Sequence, residues 1–221
     1  MPLQGVIFDW DGVVINSASL HERSWEMLAN ELGLELPKNH FALGFGKRNE
    51  VIIPEILKWT LKKTEILKWG ARKEELYREI GKSEGIPILN GIRELLQRLE
   101  IEKIPCVIGT STERENLALA FEQLKIGHFF SGSICSEDVT RGKPDPEVFL
   151  KAAQLIKKPA ENCVVLEDST HGIEAASLCG MKALGLTTTK LESELLRSGA
   201  DIVVTDPTKL NISLLNSLFM N

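Results

Sequence analysis

Short runs of consecutive hydrophobic residues recur along the chain, and most are followed by a segment with helical periodicity. The runs cover residues 3–9, 104–109, 129–135, 163–166, 181–186 and 201–204. Strands without hydrophobic–polar alternation are typical of a sheet that is buried on both faces, and strands that alternate with helices are typical of parallel βαβ units. The pattern therefore predicts an α/β fold, a Rossmann-like parallel sheet with helices on both faces.

The long stretch between the first two strands breaks this alternation, because it contains no convincing strand. One set of residues in it is spaced as one face of a helix: His21, Trp25, Leu28 and Leu32. Two further helices are predicted over residues 49–61 and 64–82. A helical segment of this length, inserted after the first strand, predicts a small α-helical bundle that stands over the sheet.

The inserted bundle divides the chain into two predicted domains. We call residues 17–84 the cap, and residues 1–16 together with 85–221 the core. The two crossings between them, at residues 16–19 and 85–89, are the expected hinges. Closure about such hinges would exclude bulk water from a site at the sheet edge.

Two helix starts in the core carry sequence signals. Thr112 is expected to cap a helix over residues 113–124, with Glu115 at the third position of a capping box. Pro146 lies near the start of a helix that runs to Leu155, where a missing N–H costs little.

The composition narrows the possible partners and compartment. The chain has 221 residues, 43% of them hydrophobic, with a net charge of -5 and a mean hydropathy of -0.04. These values are typical of a globular protein and argue against nucleic acid or a membrane as partner. The four cysteines have neither disulfide-motif nor metal-finger spacing, which favours a reducing, cytoplasmic location. The first strand begins almost at Met1, so we expect no cleaved targeting segment within the sequence, and nothing demands more than a monomer.

Positive charge is concentrated in one part of the cap. Residues 56–73 contain six basic residues and one acidic residue. The ordinary interpretation is a solvated helix face, with Lys73 and the loop residues Lys47 and Arg48 exposed to water. The alternative is a local positive surface that attracts a small anion.

Polar side chains follow three of the predicted strands. Asp9 and Asp11 follow the first strand, Thr110 and Ser111 the second, and Glu167 and Asp168 the fourth, while Lys143 lies in a loop before a helix. Each feature alone is common as a turn, a cap or a surface charge. Ligands of parallel α/β sheets bind beyond the carboxyl ends of the strands, so these groups are expected to converge at one edge.

This set of groups is what phosphoryl transfer requires. A phosphate monoester dianion repels a carboxylate nucleophile, so a cation must neutralise it, and Mg²⁺ prefers a few hard oxygen ligands. Hydroxyl, N–H and ammonium donors stabilise charge on the transferring oxygens. A second carboxylic acid protonates the leaving oxygen and later accepts a proton from water. The sequence therefore predicts a Mg²⁺-dependent enzyme that acts on a small phosphate ester.

Four motifs in this order resemble the haloacid dehalogenase superfamily, in its phosphatase and β-phosphoglucomutase-like branch with an α-helical (C1-type) cap. They are FDWDGVV at residues 8–14, IGTST at 108–112, RGKPDPEVF at 141–149 and LEDSTHG at 166–172. The resemblance spans nearly the whole chain. Dehalogenating members lack the second aspartate, which this sequence keeps as Asp11.

The resemblance implies roles for individual residues of the core. Asp9 would attack phosphorus and bind the metal, and Asp11 would be the acid/base and lend its backbone carbonyl to the metal. The remaining implied roles are phosphate binding by Thr110, Ser111 and Lys143, direct metal ligation by Asp168, and direct or water-mediated ligation by Glu167.

The same resemblance leaves two reactions open, hydrolysis of a phosphate ester and the phosphomutase reaction. Residues FGKRN at 45–49 are similar to the branch's substrate-specificity loop, which makes Gly46, Lys47, Arg48 and Asn49 candidate substrate residues, together with His21 and Lys73. Asn49 stands where the mutases have an arginine for the distal phosphate. The sequence therefore favours a phosphatase of a small phosphorylated metabolite over a sugar phosphomutase, with a catalytically idle binding protein as a third alternative.

Overall fold

The computed structural model describes residues 3–220 and contains a parallel sheet flanked by helices. The strands are β1 (Gly5–Phe8), β2 (Cys106–Gly109), β3 (Phe130–Ile134), β4 (Cys163–Glu167), β5 (Lys182–Leu186) and β6 (Ile202–Val204). They form one six-stranded sheet in the order β3-β2-β1-β4-β5-β6, and all neighbours pair in parallel. The Rossmann-like α/β fold is confirmed.

Ten α-helical segments are present among the described residues. Those between β1 and β2 are α1 (Ala18–Leu32), α2 (His40–Gly44), α3 (Asn49–Val51), α4 (Lys63–Glu84) and α5 (Ile92–Ile101). Those that follow β2 are α6 (Arg114–Leu124), α7 (Glu147–Leu155), α8 (Thr170–Leu178), α9 (Glu192–Arg197) and α10 (Ile212–Ser217). Helix α4 agrees with the predicted third helix of the cap to within two residues at each end.

The sheet is buried on both faces. Successive side chains of a strand point to opposite sides of the sheet, and each side is covered by a hydrophobic cluster. Val6 and Phe8 of β1 pack in a hydrophobic cluster with residues of α5 and α6, while Ile7 packs in a second cluster with residues of α7 and α8. A third, separate cluster lies within the cap and includes Trp25 and Leu76. Burial on both faces thus explains why the strands are continuously hydrophobic, as their sequence pattern indicated.

The predicted helix over residues 49–61 is wrong in its second half. Helix α3 passes into a π-helical turn, Ile52–Ile56, and the chain then leaves helical geometry. Pro54 cannot donate a backbone hydrogen bond, which disfavours a regular α-helical turn at this point. Lys58 adopts a left-handed φ of 55°, so the helix cannot continue to Leu61.

The predicted cap at Thr112 is also wrong. Helix α6 begins at Arg114 with Glu113 as its N-cap residue, and no side chain caps it. The hydroxyl of Thr112 instead donates to the carboxylate of Asp11, which leaves it unable to serve the helix. Helix α7 begins one residue after Pro146, close to its predicted start.

The two chain crossings between core and cap lie side by side. Asn16 N–H donates to the Pro87 carbonyl at 2.8 Å, and Leu89 N–H donates to the Val14 carbonyl at 3.0 Å. The two segments are therefore joined as a short two-stranded connection. The domain boundaries and the hinge role of these segments remain predictions.

Two further features concern the cysteines and the character of the helices. Cys106, Cys135 and Cys163 are buried free thiols, and Cys179 is a half-buried one. Across residues 3–220, we find no helix with the length and apolar character that crossing a membrane requires.

Gly91 provides a test of how the C-terminal segment is anchored to the core. It has a φ of 85°, and a Cβ at this position would lie 2.7 Å from the Thr208 Cα. We expect Gly91→Ala to lower the free energy of unfolding by about 3 kcal/mol, because backbone strain and a backbone collision add. Gly33→Ala, at a φ of 64° with open space around it, is expected to cost only about 1 kcal/mol. The free energy of unfolding of both variants is measured by urea denaturation. Equal decreases in the two variants would show that the segment around Thr208 moves aside freely.

Candidate active site

The polar residues that the sequence places after β1, β2 and β4 converge at the carboxyl edge of the sheet. Strand β1 lies between β2 and β4, so the three motif-bearing strands are immediate neighbours. Chain connections leave β1 toward β2 on one side and later return to β4 on the other. This reversal of strand order opens the crevice in which parallel α/β sheets bind their ligands.

Lys143 joins two of the buried carboxylates. Its Nζ donates to Asp9 Oδ1 at 2.8 Å and to Glu167 Oε1 at 2.6 Å, and its side chain is 3% exposed. The ammonium group also lies 4.8 Å from the centre of the Phe149 ring. The loop lysine that the sequence singled out therefore reaches the end of β1 and fixes the carboxylate of Asp9.

Asp9, Glu167 and Asp168 form one acidic group. One carboxylate oxygen of each lies within 4.8 Å of the others, and all three residues are buried. The second oxygen of Glu167 accepts from the backbone N–H groups of Asp168 and Ser169 and from the Ser169 hydroxyl, at 2.7 to 2.9 Å. Ser169 also caps helix α8. Glu167 is thus held on both oxygens.

Two threonines that the sequence analysis did not identify hold Asp168. The Thr189 hydroxyl donates to Asp168 Oδ2, and the Thr188 hydroxyl lies 3.3 Å from the same oxygen. Thr188 also donates to the Gly12 carbonyl at 2.6 Å. Both threonines follow the end of β5, a position that the sequence pattern alone did not distinguish from an ordinary turn.

Burial of this negative charge changes the pKa of its members. Burial raises the pKa of Asp9 to about 7, although Lys143 opposes the shift, and the neighbouring Glu167 adds to it. Burial likewise raises the pKa of Asp168, with Glu167 and Asp9 as further causes. Three carboxylates compensated by one ammonium leave an excess of negative charge that a bound cation would neutralise.

Asp11 occupies a different environment from this acidic group. Its Oδ1 accepts from the Ser17 hydroxyl at 2.5 Å and lies 3.1 Å from His21 Nε2, and its Oδ2 accepts from the Thr112 hydroxyl. Burial raises the pKa of Asp11, but the interactions with His21, Ser17 and Thr112 outweigh it and hold the pKa below its usual range. The pKa values of the two aspartates of the first motif are therefore shifted in opposite directions.

His21 connects Asp11 to the cap. Its Nδ1 lies 2.6 Å from Lys73 Nζ, and its ring stacks on Tyr77 with 4.2 Å between ring centres. A lysine ammonium can only donate, so Nδ1 is the acceptor and Nε2 carries the hydrogen that faces Asp11. The candidate histidine is therefore part of the site.

A cavity of about 270 Å³ lies between the core and the cap. Its core side is formed by Asp9, Asp11 and the segment 110–113. Its cap side combines polar residues of the loop after α2 with hydrophobic residues, among them Trp25, Phe41, Phe45, Ile52, Ile66 and Leu67. The candidate nucleophile and acid thus face a pocket whose far wall presents both apolar and charged groups.

The phosphate-binding residues predicted after β2 also line this cavity. Thr110 is buried, and its hydroxyl accepts from the Thr112 N–H at 3.1 Å. Ser111 is half-buried. Both residues therefore lie beside the carboxylates of the first motif.

The loop residues of the cap approach the core motifs. Lys47, Arg48 and Asn49 are half-buried and line the cavity, while exposed Gly46 lies near the side chain of Ser169. The Arg48 side chain packs against Gly142, beside Lys143, and its guanidinium lies 3.7 Å from Glu50. The cap loop therefore meets the core at the site.

The expectation that Lys73 is a solvated charge is wrong. Lys73 is 2% exposed, and its Nζ donates to Glu74 Oε1 at 2.9 Å as well as contacting His21. The side chain lies on the inner face of α4, where the buried carboxylate of Glu74 compensates its charge. Arg72, by contrast, lies near the surface and pairs with Glu31, Glu75 and Glu79.

Glu74 and Asn116 were missed by the sequence analysis. Glu74 is 5% exposed and accepts from Asn49 Nδ2 at 2.8 Å and from Asn116 Nδ2 at 2.6 Å. These contacts lower the pKa of Glu74 to about 2, because the charge of Lys73 and the hydrogen bonds outweigh the opposing effect of burial. Only the adjacency of Glu74 to Lys73 could have identified it, and nothing in the sequence marks Asn116.

A parallel sheet with an acidic, lysine-bridged site at its carboxyl edge defines a Rossmann-like α/β enzyme with an inserted helical bundle. The chain belongs to the haloacid dehalogenase-like hydrolase family, which it matches over residues 6–186. The family resemblance inferred from the four motifs is confirmed.

Known proteins resemble the chain over most of its length. It is 36% identical over 211 residues to the chloroplastic 5-amino-6-(5-phospho-D-ribitylamino)uracil phosphatase of Arabidopsis thaliana, covering 94% of this chain and 56% of that protein. It is 29% identical to the β-phosphoglucomutase of Bacillus subtilis, covering 97% of this chain and 94% of that protein. The crystal structure of a haloacid dehalogenase hydrolase from Entamoeba histolytica superposes with a TM-score of 0.89 at 27% identity, covering 99% of this chain and all of that one. The phosphatases among the relatives support classification as a phosphoric monoester hydrolase.

Glu113 offers a test of the electrostatics at the cavity wall. Burial, with a smaller effect of Glu74, raises the pKa of Glu113 from 4.5 to about 7. Between these values the folded protein keeps a proton that the unfolded chain has lost, so this group makes the free energy of unfolding fall as pH rises. We expect Glu113→Gln to remove that fall, so that the variant gains stability relative to the unsubstituted protein on going from about pH 5 to about pH 8.

The control is Glu115→Gln, because Glu113 and exposed Glu115 both pair with Arg78, at 3.6 Å and 3.0 Å, but Glu115 lies outside the cavity lining. Urea denaturation at both pH values, in EDTA, measures the effect. An identical pH response of the two variants would contradict the assignment.

Proposed function

We propose that the protein is a Mg²⁺-dependent phosphatase of a small phosphorylated metabolite and that Asp9 is its nucleophile. The observation that carries the proposal is the bridge from Lys143 to Asp9 and Glu167, with Asp168 in the same acidic group and Asp9 lining the cavity. A carboxylate held by an ammonium beside a cation site is suited to attack on a phosphate ester.

The acidic group fits a divalent cation in its donor chemistry. The carboxylates of Asp9 and Asp168, with the main-chain carbonyl of Asp11, would hold Mg²⁺. Glu167 already accepts hydrogen bonds on both oxygens, so it would act through metal-bound water. When bound, the cation would lower the pKa values that burial raises and reduce repulsion between Asp9 and the substrate.

The residues of the chain supply the remaining steps. An oxygen of Asp9 would attack phosphorus as the bond to the leaving oxygen breaks, while Asp11 donates a proton to that oxygen. Water would then attack the aspartyl phosphate, Asp11 would accept the proton of that water, and the phosphorus–Asp9 bond would break to release phosphate. Lys143 and Thr110 would stabilise the transferring oxygens, together with the backbone of Ser111.

The charges around the cavity favour hydrolysis over the phosphomutase reaction. A mutase must hold a second phosphate beyond the reacting one. Here Asn49 and Lys73 are both hydrogen-bonded to Glu74, and Arg48 lies beside Glu50. Glu113 adds another acid to the wall. Of the cations that line the cavity, Lys73 and Arg48 therefore already have acidic partners, which leaves Lys47 to meet a distal phosphate.

The lining of the cavity supports a leaving group without charge and with a planar or apolar part. Aromatic and aliphatic residues of the cap face the site, while Asn49 and Glu113 offer hydrogen-bond acceptors. The substrate named for the Arabidopsis relative, a phosphorylated ribitylaminouracil, has this character, so it is our first candidate. Because the chain spans 56% of that relative's length, the substrate is a proposal to be tested. The free cysteines support a reducing location such as the cytoplasm, and we expect a monomer.

The mechanism predicts the behaviour of a variant at the nucleophile. We expect Asp9→Asn to abolish turnover of every substrate, and EDTA to remove the activity of the unsubstituted protein until Mg²⁺ is restored. The assay is phosphate release from a panel that includes 5-amino-6-(5-phospho-D-ribitylamino)uracil and β-glucose 1-phosphate. Lys68→Ala, an exposed change in the cap, is the control.

Substantial Mg²⁺-dependent activity in Asp9→Asn would exclude this mechanism. Isomerisation of β-glucose 1-phosphate without net phosphate release, dependent on a bisphosphate, would identify the mutase. Substrate binding without any turnover would identify a catalytically idle binding protein.

Substrate selection is predicted to depend on Arg48. Arg48→Ala is expected to change the ratio of kcat/KM between two metabolite substrates roughly tenfold, as expected from loss of one hydrogen bond to a charged group. Its rate on p-nitrophenyl phosphate should change far less, because that leaving group reaches fewer cap residues. A uniform decrease on all substrates would indicate that Arg48 serves cap packing on Gly142 instead.

A further inference from the structure

The side-chain amide of Asn116 joins the core to the cap. Asn116 lies on α6 of the core and is 1% exposed. Its Nδ2 donates to Glu74 Oε2 at 2.6 Å, and its Oδ1 accepts from Arg78 Nη1 at 2.9 Å. Both partners lie on helix α4 of the cap. One amide therefore connects two successive turns of α4 to the core.

The same contacts continue to the candidate acid. Glu74 Oε1 accepts from Lys73 at 2.9 Å, Lys73 donates to His21 Nδ1 at 2.6 Å, and His21 Nε2 lies 3.1 Å from Asp11 Oδ1. Each link is a hydrogen bond between buried or nearly buried groups. Glu74 therefore holds Lys73 in contact with the His21 ring, which also stacks on Tyr77.

The position of Asn116 relative to the hinge makes this connection sensitive to cap closure. Helix α4 ends at the second hinge segment, and at 1.5 Å per residue Glu74 is about 16 Å from Gly85 while Gly81 is about 6 Å from it. Rotation of the cap would displace Glu74 roughly three times as far as Gly81. Gln123, also on α6, bonds Gly81 and Ile86 close to the hinge.

We propose that Asn116 is a positioning residue that latches the closed cap and, through Glu74, Lys73 and His21, orients Asp11 for proton transfer. The proposal rests on the phosphatase function and on Asp11 as its acid. Closure of the cap and orientation of Asp11 are then coupled, because the contact that holds the cap closed also fixes the position of the His21 ring. Opening the cap would release both.

An exchange of the two side chains tests the latch. Asn116→Asp places two buried carboxylates face to face, and Glu74→Gln places two amides face to face. The double variant restores the pattern, because the Gln amide donates to the new carboxylate while its oxygen accepts from Lys73 and Asn49. The net charge of the pair is unchanged. We expect each single change to lower the first-turnover rate on an alkyl phosphate roughly tenfold to a hundredfold, and the double variant to return within about threefold.

The choice of substrate separates positioning of the acid from general damage. The nitrophenolate leaving group needs little protonation, so the first-turnover rate on p-nitrophenyl phosphate should fall by no more than about threefold in all three variants. Quenched-flow measurement of leaving-group release gives both rates. Gln123→Ala, which removes the hydrogen bonds from α6 to Gly81 of α4 and to Ile86 near the hinge, is expected to leave the ratio of the two rates unchanged. If Asn116→Asp does not fold, Asn116→Ser removes the same contacts without adding a charge.

The outcomes distinguish the latch from the phosphatase function. Equal losses on both substrates, or a folded double variant as slow as the single ones, would overturn the latch. A change of the ratio in Gln123→Ala as large as that in Asn116→Asp would also overturn it. Activity that survives Asp9→Asn would instead overturn the phosphatase mechanism itself.

Discussion

The contact on which the site depends is the Lys143 ammonium between the carboxylates of Asp9 and Glu167, in a place where a third carboxylate, Asp168, is also buried. Buried charges are costly unless they are paired, and removing one partner of a buried pair leaves the other uncompensated. The excess acid favours a bound cation, and the bridge joins the ends of β1 and β4 to the loop that carries Lys143. The positions of the remaining residues follow from that edge.

The two aspartates of the first motif differ because their surroundings differ. Asp9 shares an acidic group, and burial raises its pKa, whereas Asp11 accepts hydrogen bonds from His21, Ser17 and Thr112, and its pKa is lowered. Environments that shift two neighbouring carboxyls in opposite directions are how one site separates a nucleophile from an acid. The lowered pKa describes the protein without substrate. A phosphate dianion placed between the two aspartates would raise the pKa of Asp11 and favour its protonated form.

The sequence predicted the fold and the core of the site because both depend on local patterns. Hydrophobic strands followed by polar residues identify the sheet edge, and Asp9 and Lys143 lie in motifs whose order indicates the family. Helix α4 was predicted closely, whereas the helix around Pro54 was not, because the break depends on a π-helical turn and a left-handed residue. Contacts that depend on packing between the cap and the core were not predictable. Asn116 is an ordinary helix residue in sequence, and Lys73 resembled a solvated charge because its partners come from distant segments.

This difference follows from how the two parts of the site are built. The candidate nucleophile Asp9 and its neighbours Glu167 and Asp168 are placed by the register of the parallel strands β1 and β4, so we expect a change in the cap loop to leave their geometry intact. The candidate selecting residues Arg48 and Asn49 lie at the start of the short helix α3, in the cap and outside the sheet. Relatives named as a mutase and as a uracil-derivative phosphatase can therefore resemble the same chain. A latch at Asn116 would connect the two parts, because it would couple closure of the cap to the orientation of Asp11 through one hydrogen-bonded path.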